Sequence, residues 1–434
     1  MNLLRLSLVL TAALVVWSAS NIMWGGEHHH GIVKADGKGY YAHLPALFIY
    51  NDWEFEFFDS VENRHYYNEN YYYDYRAKLP DGSIVNKYFC GTAVPMLPGF
   101  LIAHAYALSS DKYSADGFSK PYNISVSISA IVFMLLTLVV WLRIFTQFKI
   151  DNKLIAFVIP TMVFGSNWYY YLVCEPAVSH VYTVFLASWF VERGLKWGRT
   201  GRVNMLLLAS ILALITLIRP VNAMLIGFTP FFFTNGSHFV KSVGDVFKKP
   251  GKLAFAILTA AAIISIQLVL YKIQTGDFWV YSYQEEGFNF SDPQIFNILF
   301  SYKKGLFLYT PIMLIALLGL IPLTSNQTWR GVSLLVVFGG FTYVVSSWWN
   351  WYYGGSFSSR VYLDILVLFA IGLAYLLKTI QAKAMRSFLM TVLFALVLLC
   401  QFQTYQYRRM IIHWDGMTEQ TYWEAFLDFN VFKR

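Results

Sequence analysis

The sequence predicts an all-α integral membrane protein, a polytopic bundle of about eleven transmembrane helices, and three observations carry that expectation. Only 13% of the 434 residues are charged, against about 25% in soluble domains. Hydrophobic residues make up 57% of the chain and aromatic residues 19%. The apolar residues are gathered into runs of about the 20 residues that a helix needs to cross a hydrocarbon core of about 30 Å. A soluble surface could not hold 37 Phe, 30 Tyr and 14 Trp without large apolar patches.

Taken in order, the first run covers residues 4–24. Its core "LSLVLTAALVVWSAS" has the composition of a signal peptide, but the run continues through Ile22, Met23 and Trp24, so an uncleaved span is expected, with the Trp at the interface. Ten further runs follow at 122–142, 154–172, 178–192, 203–218, 221–233, 254–272, 305–323, 331–347, 361–377 and 387–403. Lys and Arg set the orientation. Arg143, Lys149 and Lys153, then Arg193 to Arg202, Lys241 to Lys252, Arg330, and Lys378 to Arg386 fall in alternate connections, which the positive-inside rule places in the cytoplasm. The expected topology is N-in and C-out.

One apolar stretch, "CGTAVPMLPGFLIAHAYAL" at 90–108, would break this parity. With Pro95, Pro98 and Gly99 in its first half, it is expected to be interfacial or re-entrant on the outer face. Residues 1–404 then form one transmembrane domain whose first extracytoplasmic loop, 25–121, is its largest polar segment. Residues 405–434 form a short extracytoplasmic tail, with Trp414, Tyr422, Trp423 and Phe426 expected on the apolar side of an interfacial helix. No internal repeat is apparent.

The net charge of +8 sits in short clusters between apolar runs rather than on one face, which argues for topology determinants and against nucleic-acid binding. Cys90, Cys174 and Cys400 have no metal-ligand spacing. A Cys90–Cys174 disulfide and three free buried thiols are both open readings.

On this topology the unusual charges gather at the outer ends of spans: Asp36, Glu175, Arg219, Asp277, Glu285, Glu286, Lys303, Lys304 and Arg360, with His180. Charge at the end of an apolar run is costly unless it faces a cavity, so one outward-facing polar cavity is expected. Bland alternatives stand beside each. Arg219 could snorkel to headgroups, although an outer Arg runs against the positive-inside tendency. Lys303 and Lys304 could be interfacial anchors, or an anion site at a helix start. Glu175 and His180, flanking Pro176, are a weak metal signal beside a capping Glu and an interfacial His. "GGEHHHG" fits a solvated turn better than a metal site. Asp36 in "ADGKG" has the composition of a turn.

These features together resemble the GT-C superfamily of polytopic glycosyltransferases, which includes bacterial relatives of protein O-mannosyltransferases and the aminoarabinose transferase of lipid A. The resemblance rests on "ADGKGYYAHLPALF", "NKYFCGTAVPMLPGFLIAH", "EPAVSHVYTVF", "LIRPVNAM", "KKGLFLYTP" and "WWNWYYGGSFSSRVYL". It implies inverting transfer of a sugar from a polyprenyl-phosphate donor to a hydroxyl of an acceptor protein, lipid or glycan, outside a bacterial-type cytoplasmic membrane. By position Asp36 is the catalytic candidate, alone or with Glu175, because some relatives carry an adjacent pair of acids where this chain has Ala35 and Asp36. Arg219, Lys303, Lys304 and Arg360 would stabilise the lipid phosphate, and Tyr40, Tyr41, His180 and Trp351 would meet sugar or acceptor. A divalent metal is left open. A transporter or flippase of an anionic lipid or solute, and a polysaccharide polymerase or ligase with a diphosphate-linked donor, are the rival functions.

Overall fold

The computed structural model describes residues 2–433. Seven of its helical stretches are long and apolar enough to cross a membrane, and four shorter apolar helices accompany them. In chain order the main elements are α1 (Leu3–Met23), α2 (Asp36–Pro45), α3 (Ala93–Leu108), α4 (Lys120–Gln147), α5 (Asn152–Phe164), α6 (Trp168–Cys174), α7 (Ser179–Thr200) and α8 (Met205–Ile218). A 3-10 segment, Pro220–Phe228, leads to α9 (Gly236–Phe247) and α10 (Pro250–Thr275). Then come α11 (Ile312–Leu318), α12 (Leu320–Asn326), α13 (Thr328–Ser346), a 3-10 turn Arg360–Ile365, α14 (Leu366–Thr379), α15 (Lys383–Arg408) and α16 (Glu419–Ala425).

Burial follows the pattern of a bundle solvated by lipid. In the most apolar 18 residues of Arg360–Thr379, 89% are buried, whereas in those of α10 and α15 only 11% are. The outer helices therefore turn Phe255, Leu258, Phe388 and Leu398 outward. Small residues permit the closest approach in the core: a Cβ on Gly319 would lie 2.1 Å from the Gly372 carbonyl oxygen of α14, an approach that only glycine allows.

Between α1 and α4 the chain forms a cap with its own small core of Tyr40, Phe55, Phe57, Phe58, Tyr75 and Tyr88. It contains an antiparallel hairpin, β1 (Arg76–Lys78) with β2 (Ile84–Asn86), in the register Ala77 opposite Val85. At the opposite end of the bundle the basic connections converge. Lys378 Nζ donates to the Phe148 carbonyl (2.7 Å), Arg330 lies over the Phe148 ring, and Trp329 Nε1 donates to the Pro230 carbonyl (2.9 Å).

Several expectations are corrected. Residues 90–108, expected to be interfacial or re-entrant, form one helical stretch with the length and apolarity of a span; Pro95 lies in the first turn of α3, where amides have no intrahelical partner. Both flanks nevertheless return to α2: the Tyr88 hydroxyl donates to Asp36 (2.8 Å) and the Tyr41 hydroxyl to the Gly117 carbonyl (2.6 Å). The runs 154–172, 221–233 and 305–323 are interrupted, at 165–167, at Thr229 and at 310–311. The last span continues to Arg408, past the boundary expected at 404. All three cysteines are free and buried, so Cys90 and Cys174 do not pair. The "ADGKG" stretch is not a turn: α2 begins at Asp36 and contains both glycines.

Candidate active site

Helices stop where the candidate side chains begin. α6 ends at Cys174 with Glu175 as its C-cap before Pro176, α8 ends at Ile218 with Arg219 as its C-cap before Pro220, and the central helix opens with the 3-10 turn at Arg360. Each break leaves polar backbone that is tolerated at membrane depth only beside protein or a cavity. Here the breaks surround a cavity of about 1510 Å³. Its lining includes Asp36, Glu175, His180, Arg219, Arg360 and Tyr40. Among the described residues none of the lining comes from the basic connections at the far end.

Asp36 is delivered by strain and close packing. Ala35, which precedes it, has φ 46°, ψ −133°, a conformation costing about 1–3 kcal/mol without glycine. A Cβ on Gly39 would lie 2.2 Å from the Tyr88 ring, and one on Gly37 2.7 Å from the Ala177 Cβ. The two glycines thus let α2 press against the segments that carry Tyr88 and Glu175. Asp36 also sits in the first helical turn, where the helix dipole favours a carboxylate.

The cavity's inner cations are all matched with carboxylates. Arg360 pairs with Asp36, which also accepts the Tyr88 hydroxyl. Lys34 Nζ lies 3.2 Å from Glu175, whose carboxylate accepts the Tyr170 hydroxyl at 2.6 Å. Lys87 meets Glu286 at 2.6 Å, and Arg219 meets Asp364 at 3.1 Å. Asp364, fully buried, also holds His180 Nδ1 at 2.9 Å. Burial opposes ionisation of Asp36, yet Arg360, the Tyr88 hydroxyl and Lys87 outweigh it and hold the carboxyl below its ordinary 3.8. For Lys34, burial is likewise outweighed by Glu175, which raises its pKa.

Other expected residues lie apart from this group. Lys303 is 3.0 Å from Asp415 and over the Tyr352 ring, and Lys304 is buried with its ammonium on the Gly354 carbonyl; neither lines the cavity. Burial, with Arg360 and Lys303 nearby, pushes the Lys304 amine down to about 7. Tyr41 is buried in the cap against Phe100 and Phe118, and Trp351 packs on Tyr352; both are outside the lining. Glu175 and His180 share the cavity but have different partners and make no joint ligand pair. In the tail, Tyr422 is buried against Tyr309 while Trp423 stays half exposed.

Sequence reasoning overlooked Lys34, Lys87, Tyr88 and above all Asp364. A lone acid inside the apolar run "VYLDILVLFAIGLAYLL" was a usable signal, since such a residue needs a buried partner.

The carboxylates of Asp36 and Glu175 are poor donors for a divalent ion, because each is already held by a cation that the ion would repel. Donor atoms of Glu27, His29 and His30 do lie within 4.8 Å of one another, and His29 is neutral, its pKa lowered to about 4 by burial, His30 and Lys120. That set fits a metal but does not line the cavity, so no step at Asp36 is routed through one. No protein-family model matches this chain, and no curated protein matches it either.

Proposed function

We propose that this protein is a membrane glycosyltransferase that moves a sugar from a polyprenyl-phosphate donor to an acceptor hydroxyl on the extracytoplasmic face, with inversion. The observation that carries the reading is the convergence of Asp36, Arg360, Glu175 and Arg219 on one large cavity with an aromatic lining, to which the basic end of the bundle contributes none of the described lining residues. A transport pathway would need polar lining towards both ends.

The topology we propose is eleven traverses, N-in and C-out. They are α1, α4, α5 with α6, α7, α8, the 3-10 segment after Arg219, α10, the stretch through α11 and α12, α13, the Arg360–Thr379 stretch, and α15. The return of both flanks of α3 to α2 supports leaving it out of this count, and the basic far end supports a cytoplasmic assignment.

In the transfer, the acceptor oxygen attacks C1 of the sugar, the bond from C1 to the phosphate oxygen breaks, and the acceptor proton passes to the Asp36 carboxylate. A carboxylate held below its ordinary pKa is a weak base but is fully ionised at neutral pH. It takes the proton late, as C1 gains cationic character and the acceptor hydroxyl becomes acidic. Protonation cancels the charge that Arg360 was paired with, so the guanidinium becomes available as charge grows on the departing phosphate. Arg360 Nε supports this handover, being buried without a hydrogen-bond partner among the described residues on a side chain that lines the cavity, and such a donor calls for a ligand. Asp364 and His180 hold Arg219 in place. The test is reconstitution with labelled polyprenyl-phosphate sugars. Transfer by wild type, lost in Asp36→Asn while the protein stays folded, is the expected result; full transfer by the variant refutes the base role.

A further inference from the structure

The four inner cations of the cavity are each spoken for by a carboxylate, which leaves the question of what draws a phosphate in before any proton moves. Two further cations line the same cavity: Arg408, the last residue of α15, and Arg409, its C-cap. Both are exposed, and among the described residues neither has a carboxylate within ion-pairing distance. The C-terminus of α15 offsets about half an elementary charge, so most of their two positive charges is uncompensated. Their neighbours in the lining are Tyr407, Met410 and Trp414, and Tyr407 packs on Tyr170, the residue that hydrogen-bonds Glu175. Adjacent arginines at an outer helix end also run against the positive-inside tendency.

We infer that Arg408 and Arg409 form the standing phosphate-binding site of the cavity, taking the phosphate group of a ligand at the rim. A free guanidinium offers a fork of donors to phosphate oxygens. A paired one must first give up a carboxylate, which is costly where water is scarce. This deepens the transferase reading by naming where phosphate rests before transfer, but its test needs no transfer.

The experiment uses the full-length protein in nanodiscs, with polyprenyl phosphate in one arm and inorganic phosphate in the other. Arg408→Gln/Arg409→Gln should bind polyprenyl phosphate about 10- to 100-fold more weakly than wild type, with an unchanged melting temperature, while Arg408→Lys/Arg409→Lys should fall between. On the wild-type protein, phenylglyoxal labelling mapped by mass spectrometry should show both arginines protected by ligand, which keeps the test intact if the double variant fails to fold. Protection by polyprenyl phosphate alone identifies a lipid headgroup, and protection by inorganic phosphate as well identifies a site for the bare group; either supports the inference. Undiminished binding by the folded Gln variant, or no protection in either arm, overturns it. Binding without any sugar transfer would sink the transferase reading and leave this one standing.

Discussion

Replacing Asp36 by Asn tests two things at once, and they can be separated. The substitution leaves Arg360, whose side chain is only 10% exposed, without its counter-charge, while Asp36 itself is 23% exposed. Removing one partner of a buried pair costs about 3–5 kcal/mol. Because an Asn oxygen can still accept from Arg360 and some water reaches the site, a loss of about 2–3 kcal/mol is expected. Arg360→Gln should cost a similar amount, and Asp36→Asn/Arg360→Gln less than the sum, with a coupling of about 2 kcal/mol. Equilibrium unfolding in mixed micelles measures all three. The pH dependence has a definite sign. Since Asp36 titrates below 3.8 in the folded protein, the unfolded chain takes up its proton first as pH falls. The contribution is therefore whole above about pH 4 and lost as pH falls through the folded value, a loss that Asp36→Asn should not show. Sugar transfer should fall about 10²- to 10⁴-fold in Asp36→Asn and stay low in the double variant, although its stability partly recovers. Single variants that add without coupling would refute the ion-pair account. Wild-type transfer by the double variant would refute the base.

Three further outcomes follow from the same geometry. Because the Lys304 amine is pushed to about 7 from 10.5, the unfolded chain holds more protons between those values and stability should rise with pH across that window. Lys304→Met should abolish that slope, worth on the order of a few kcal/mol, and an unchanged slope in the unfolding curves would count against it. Gly39→Ala drives a methyl to 2.2 Å from the Tyr88 ring; overpacking of about 1–3 kcal/mol should lower the melting temperature and, by shifting Tyr88 off Asp36, lower transfer further than stability alone explains. The native cysteines are buried, so single cysteines can be placed against a low background. Trp279→Cys, at a residue 84% exposed, should react with an impermeant thiol reagent from outside intact cells, and Lys249→Cys only after permeabilisation; the reverse pattern would invert the topology.

The membrane class was legible because lipid leaves a coarse imprint, long apolar runs and few charges. Where the runs are interrupted it was not, since Ser166 with Asn167 and Thr310 with Pro311 lie inside stretches whose mean character is apolar, and a break shows only in what it packs against. Asp36, Glu175, Arg219 and Arg360, which line one cavity, could be singled out because each is a charge in the wrong solvent. Lys303 and Lys304 looked the same and are elsewhere: a sequence marks the end of a span but not the direction a loop takes from it, and here the loop turns Lys303 to Asp415. The role of Gly37 and Gly39 was misread for a related reason. Turn and tight helix packing both select glycine, and only the nearness of Ala177 and Tyr88 tells them apart.

The number of cations at a cavity does not by itself point to an anionic ligand. What matters in a cavity of low dielectric is the charge left after pairing. Lys34, Lys87, Arg219 and Arg360 leave almost none in the resting protein, because Glu175, Glu286, Asp364 and Asp36 neutralise them in turn. Such a balanced wall does not attract a phosphate strongly, but it can answer one: protonating a single carboxylate uncovers a cation beside the place where negative charge is growing. Arg408 and Arg409 are uncovered from the start. On the proposed reading, attraction at the rim and stabilisation in the interior are supplied by different residues, so binding and transfer should respond to different substitutions.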